Sequence, residues 1–161
     1  MSIRFAEPSD VDAMWAIFHE AAAGGDTIPT DGSASRDALA RDWFDDTGRA
    51  WVAMDEETVV GMYRLGANQP DRGAHVGTAT FLVAAAHRRK GVGGRLVAHC
   101  LDEARAAGYA GIQFNFVVGT NASALALYRR FGFSIVGTLP GAFEHRHLGR
   151  VDAHVLYRKL A

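Results

Sequence analysis

"AHRRKGVGGRL", Ala86 to Leu96, gathers four basic side chains and three glycines into eleven residues. The apolar run Phe81-Leu82-Val83 precedes it, and Leu96, Val97, Cys100, Leu101 and Ala104 follow on one helical face, so the stretch reads as a strand-to-helix connection. Backbone amides collect at such a place, because the first N–H groups of a helix have no partner within it. The glycines permit positive φ and close approach, while Arg88, Arg89, Lys90 and Arg95 add positive charge beside the helix dipole. A diphosphate fits this chemistry.

The rest of the chain gives no reason to expect a polyanion. Its 17 Lys and Arg are balanced by 18 Asp and Glu, a net charge of −1, so nucleic acid is not an expected partner. With 161 residues, 48% of them hydrophobic and 22% charged, the composition is that of one soluble domain spanning 1–161. The single cysteine, Cys100, cannot form an intramolecular disulfide, and a cytoplasmic setting is the simplest expectation. On the buried face of its helix, it is a packed hydrophobe rather than a nucleophile. "MSIRFAEPSDVD" has no signal-peptide pattern, and no apolar run approaches membrane-spanning length, so no membrane association is expected.

Working outward, "SIRFA" reads as a strand and "PSDVDAMWAIFHEAAAGG" as a helix, with Val11, Met14, Trp15 and Phe18 at helical spacing. Asp26 to Ser35 is polar and turn-rich, and "SRDALARDWFDD" predicts a second amphipathic helix with Leu39, Trp43 and Phe44 inward. "AWVAMDEETVVGMYRLGA" predicts two strands about an acidic turn, and "QPDRG" a turn into a strand from His75 to Val83. Beyond the glycine-rich turn, the helix ends near Gly108. "GIQFNFVV" is a buried strand with Ile112, Phe114 and Phe116 on one side and Gln113, Asn115 and Val117 on the other. "TNASALALYRRFGF" is a helix ending near Gly132, and Phe133–Thr138 and Val151–Lys159 are closing strands around a loop from Pro140 to Gly149. A meander followed by strand, helix, strand, helix, strand predicts an α/β fold with a mixed sheet.

Two familiar phosphate motifs do not fit the turn. A P-loop needs Lys followed by Ser or Thr after its second glycine, and a dinucleotide fingerprint needs a third glycine where Leu96 stands. The pattern Arg88-x-x-Gly91-x-Gly93 instead resembles the coenzyme A pyrophosphate loop of the GNAT superfamily of N-acetyltransferases. The resemblance spans nearly the whole chain, from "IRFAEPSDVDAM" through the meander to "NASALALYRRFGF", which looks like the family's second coenzyme-binding helix. It implies a mostly antiparallel sheet whose parallel fourth and fifth strands splay apart, flanked by helices.

The resemblance further implies acetyl-CoA as co-substrate and direct transfer to an amine in a ternary complex. Phe81, Leu82 and Val83 then pair with the pantetheine arm, a backbone N–H of Leu82 or Val83 polarises the thioester carbonyl, and Arg88, Arg89, Lys90, Gly91, Val92, Gly93 and Gly94 form the pyrophosphate loop. Asn121 and Tyr128, two helical turns apart, share one face. By resemblance Asn121 contacts the coenzyme arm, and the Tyr128 hydroxyl serves the departing sulfur as general acid. "QFNFVVGTN" looks like a subgroup acting on small amino acids and proline analogues, in which Asn115 faces the acceptor; the other reading of Asn115 is a carboxamide that ties down a neighbouring loop. The acceptor is expected to be a small amine, with a protein or peptide acceptor and a non-catalytic coenzyme A sensor as alternatives, and a homodimer is compatible with all three.

The chain departs from a common family pattern because "HVGTATFLV" and "GIQFNFVV" carry no carboxylate to take the amine's proton. Glu20, His75, Glu144 and His145 are the candidates for that role. Glu144, His145 and His147 lie in a segment bounded by Pro and Gly, where solvated side chains are expected rather than metal ligands.

Overall fold

The computed structural model describes residues 1–160. Alternation along β2 (Gly48–Asp55) sets out the layers: Ala50 and Val52 face one side, Trp51 and Ala53 the other, and all four are buried. A strand buried on both faces needs cover on both. On one side lie α1 (Val11–Gly24) and α2 (Arg36–Trp43), whose Met14, Ile17, Ala21, Leu39 and Trp43 pack with Val52, Met62 and Leu82. On the other lies α3 (Val92–Ala106), whose Leu96, Val97, Cys100, Leu101 and Ala104 pack with Trp51, Tyr63, Phe114 and Leu156, joined by Leu125 of α4 (Ala122–Arg130).

The remaining strands are β1 (Ser2–Phe5), β3 (Thr58–Ala67), β4 (Val76–Val83), β5 (Gly111–Val118), β6 (Ser134–His145) and β7 (Gly149–Lys159). They form one sheet in the order β1-β2-β3-β4-β5-β7-β6, and only β4 and β5 run parallel. This is the mixed, mostly antiparallel sheet expected above. The parallel pair is joined only at Val76↔Gly111 and Gly77↔Ile112, after which the strands part. Arg4 on β1 makes two bonds of 2.8 Å to the Asp10 carboxylate and so holds its pKa below the ordinary value. That pair anchors the entry to α1.

Four local expectations change. Pro8–Asp10 form a 3₁₀ turn, so α1 proper begins at Val11, and Trp15 and Phe18 are only partly buried while Ile17 and Ala21 fill the core. Phe44 caps the end of α2 and is 37% exposed, because the helix stops before bringing it round to the inner face. In β5, the register against β7 shifts between Phe114 and Val117, a bulge at Asn115 and Phe116. The bulge turns Val117 into the core beside Ile112 and Phe114, leaves Phe116 partly buried and exposes Asn115, which is therefore not on an inward-facing side. Finally, Pro140–Gly149 is not a loop: β6 runs on to His145 and meets β7 at Gly149. The register breaks between Leu139 and Phe143, where Gly141, at φ 57°, donates its N–H to Asp152 Oδ1 (2.9 Å).

Candidate active site

The parting of β4 from β5 leaves a wedge, and hydrogen-bond alternation decides which groups line it. Asn68 donates its N–H to the Val76 carbonyl (2.8 Å) and Ala84 to that of Val60 (3.0 Å). In an antiparallel pair successive residues point their backbone groups to opposite sides, so Thr78, Thr80 and Leu82 bond towards β3. Ala79, Phe81 and Val83 turn theirs towards the wedge. Of the two N–H groups considered from sequence, that of Val83 is available and that of Leu82 is directed at Met62. The Val83 carbonyl receives Arg88 Nε at 3.4 Å.

Past the end of β4, Ala85–His87 make a 3₁₀ turn, and the chain then reverses through Arg89 at φ 60° and Gly91 at φ 83°. Gly91 is the N-cap of α3, and a residue with a side chain is disfavoured there by conformation alone, since a Cβ would touch nothing within 4 Å. At Gly93 the reason is space: a Cβ would stand 3.3 Å from Leu127 Cδ2 of α4. Among the described residues, no protein acceptor is bonded to the backbone N–H groups of Arg89 to Gly94, while Arg95 N–H closes the helix onto Gly91. Six donors and the positive end of α3 thus sit beside the wide end of the wedge.

Tyr128 projects from α4 into an aromatic cluster that straddles the wedge. Its ring centroid lies 4.6 Å from Phe114 on β5 and 6.2 Å from Phe81 on β4. Behind it, direct cross-strand neighbours continue the row: Phe81 to Tyr63 at 5.5 Å and Tyr63 to Trp51 at 4.7 Å. Burial raises the Tyr128 pKa above its ordinary 10.0, so the phenol stays protonated at neutral pH. Its hydroxyl has no hydrogen-bond partner among the described residues. Asn121 is the N-cap of α4, its Oδ1 accepting the Ala124 N–H at 3.3 Å and the Ser123 hydroxyl at 3.2 Å. Only its amide hydrogens remain for a ligand.

Asn115 accepts from Gln113 Nε2 (2.9 Å) and donates to Asn68 Oδ1 (2.6 Å), just past the end of β3. Sequence reasoning missed Gln113 and Asn68, which no local signal marks. The expected proton acceptors are all engaged or remote. Glu20 Oε2 accepts the Ala85 N–H at 2.8 Å, Glu144 lies 3.6 Å from Arg150, and His145 Nδ1 accepts the N–H groups of His147 (3.1 Å) and Leu148 (3.2 Å). His75 precedes β4, about 26 Å of extended strand away from Val83. No group of three or more His, Cys, Asp or Glu converges among the described residues, and none of their helices is long and apolar enough to cross a membrane. A cavity of about 490 Å³ lies elsewhere, lined by Arg49, Trp51, Glu103 and Tyr109, and holds none of these residues.

A sheet that opens between its one parallel pair, with unpaired amides at the mouth, defines an α/β domain built to hold an extended, anion-tipped ligand. The model of the Acetyltransferase (GNAT) family matches residues 12–133, and the chain belongs to that family. A GCN5-related N-acetyltransferase from Kribbella flavida is 39% identical, with a TM-score of 0.93 over 99% of this chain and 97% of that one. A ribosomal-protein-alanine N-acetyltransferase from Brucella melitensis is 26% identical, with a TM-score of 0.87 over 99% and 100% of the two chains. N-acetyltransferase aca1 of Schizosaccharomyces pombe is 32% identical over 108 residues, 66% of this chain. The chain spans about half the length of that curated relative, 52%.

Proposed function

We propose that the chain is an acetyl-CoA-dependent N-acetyltransferase that passes the acetyl group directly to the amino group of a small amine or amino acid. The wedge carries this reading: one wall is unpaired β4 backbone, Tyr128 overhangs it, and unpaired loop amides stand at its mouth. When bound, acetyl-CoA supplies an acetyl group activated as a thioester. Phe81 and Val83 offer backbone groups along the open edge, where an extended arm pairs as an added strand, and Leu82 supports them from the core. An N–H on this edge stabilises the negative charge that develops on a carbonyl oxygen. Arg89, Lys90, Gly91, Val92, Gly93 and Gly94 present amides to a diphosphate, with Arg88 adding charge and Asn121 its carboxamide N–H groups.

Tyr128 holds its proton at neutral pH and offers it to the departing sulfur. A phenol raised above 10.0 is a weaker acid than a thiol at about 8.5, so it acts as a hydrogen-bond donor rather than by complete proton transfer. With no free carboxylate on either wall, the acceptor enters as the neutral amine. Asn115, held by Gln113 and Asn68, keeps one amide hydrogen for the acceptor side.

The test is thiol release from acetyl-CoA against amino acids, proline analogues, polyamines and aminoglycosides. Release that requires one of these amines is expected; tight acetyl-CoA binding with no acceptor-dependent release would make the chain a sensor. The name and similarity of the Brucella relative support a second reading, a protein acceptor, for which acetylation of a peptide and of no small amine is the signature. The buried, lone Cys100 suits a reducing, cytoplasmic setting, and the exposed Val136 and Leu139 on edge strand β6 suit a homodimer, which sedimentation tests.

A further inference from the structure

The cavity of about 490 Å³ lies where the end of α3 meets the first residues of β2, away from the wedge. Two opposite charges line it, and neither is satisfied. Arg49 shares the face of β2 that carries Trp51 and stands directly opposite Leu65 of β3; its guanidinium makes no hydrogen bond or ion pair among the described residues. Glu103, in the last turn of α3, accepts no side-chain hydrogen bond there and has only His99 Nε2 nearby, at 3.9 Å. An arginine and a glutamate that share one cavity without pairing leave room between them for a ligand that carries both charges.

The floor supplies a third unpaired group. Trp51 is 3% exposed, and a buried indole N–H ordinarily finds an acceptor. This one has none among the described residues, yet it is not sealed from solvent as the unpaired Arg64 Nε and His87 Nδ1 are. Phe5 stacks on one face of the indole at 5.0 Å and Tyr63 on the other at 4.7 Å, so the cavity meets the ring at its edge, where the N–H stands.

The walls are polarised in one sense. Ala106 and Ala107 bring the C-terminal end of α3 to the cavity beside Glu103, and the helix dipole makes that end negative. Burial raises the pKa of Tyr109, and the guanidinia of Arg64 and Arg49 pull against that rise, so positive charge reaches the cavity from the strand side. Leu65 and the Tyr109 ring make the lining between the charges apolar, and the ring is fixed against Gly77, where an added Cβ would stand 3.3 Å from it. The volume lies within the roughly 300–1,000 Å³ of small-molecule sites.

We propose that this cavity is a second ligand site that takes a zwitterionic α-amino acid with an apolar side chain. Arg49 and the Trp51 indole N–H receive the carboxylate, Glu103 and the negative end of α3 receive the ammonium, and Leu65 and Tyr109 pack against the side chain. Tyr63 and Phe81 stand between Trp51 and Tyr128, so the occupant does not touch the groups lining the wedge. The inference therefore stands apart from the acetyl-transfer reading.

The experiment follows the Trp51 indole N–H by nitrogen-15 NMR, its signal assigned with Trp51→Phe, while L-leucine, N-acetyl-L-leucine or L-leucinamide is added. L-leucine is expected to move the signal saturably with a midpoint at about millimolar or below. N-acetyl-L-leucine, which lacks the ammonium, and L-leucinamide, which lacks the carboxylate, are expected to need at least about tenfold more. Arg49→Met and Glu103→Gln should each weaken L-leucine by about tenfold without lowering Tm, and Asn115→Ala should leave the titration unchanged. A signal that L-leucine does not move, three probes that titrate alike, or charge variants that titrate as wild type overturn the proposal. So does a response lost in Asn115→Ala, which would place the binding in the wedge.

Discussion

Replacing Tyr128 by Phe removes one oxygen and leaves the ring. The aromatic contacts at 4.6 Å to Phe114, 6.0 Å to Phe133 and 6.2 Å to Phe81 survive, and the hydroxyl has no partner among the described residues to lose. Stability should therefore change by no more than about 0.5 kcal/mol, a Tm shift of roughly 1–2 °C for a domain of this size. Turnover should fall much further, because a proton donor to the leaving group typically contributes 10²-fold or more; roughly 100-fold corresponds to about 2.7 kcal/mol of barrier. The assay is stopped-flow thiol release at saturating acceptor, paired with calorimetric titration of acetyl-CoA and thermal unfolding. A variant within about twofold of wild-type kcat refutes the donor role. A Tm lowered by many degrees refutes the premise that the hydroxyl is structurally idle.

The glycine-rich turn predicts a contrast between its glycines. Gly93→Val should drive a side chain into Leu127 and Val83, displace the first turn of α3 at a cost of about 1–3 kcal/mol, and weaken acetyl-CoA binding about tenfold or more by calorimetry; Gly91→Ala, with open space around its Cβ, should cost only about 1 kcal/mol of backbone strain. Unchanged affinity in Gly93→Val would count against the turn as the diphosphate site. With no carboxylate on β4 or β5, kcat/KM should rise with pH along the titration of the acceptor itself, and acceptors of different amine pKa should move the inflection by the same interval. One common inflection for all acceptors would reveal an enzymatic base. Burial raises Cys100 from 9.0 to about 12 and also raises Tyr63 and Tyr128, so the folded chain keeps protons that the unfolded chain releases. Stability should accordingly decline as pH climbs past about 9 and go on declining towards 12, and Cys100 should resist thiol reagents until the chain unfolds; a urea midpoint that rises between pH 8 and pH 10.5 contradicts this.

Local spacing made much of the molecule legible. The run of apolar residues at helical period after Gly94, the Asn121 cap seven residues before Tyr128, and the glycines at positive φ are each set by neighbours in the chain, so the order of elements, the glycine-rich turn and the family could be read from local spacing. Other features depended on residues far apart. The β5 bulge arises from pairing with β7, and it moved Val117 from the side of Gln113 and Asn115 to that of Ile112 and Phe114. Pro140–Gly149, rich in turn residues, became a hairpin because β7 was there to pair with it. Which β4 amides stay free follows from the register against β3, and the bond from the Arg146 guanidinium to the Ala23 carbonyl joins positions 123 residues apart. Periodicity reports the face a residue turns to the core; what waits on that face is set by distant segments, whose hydrogen bonds form against a loop-closure entropy that no short window of sequence records.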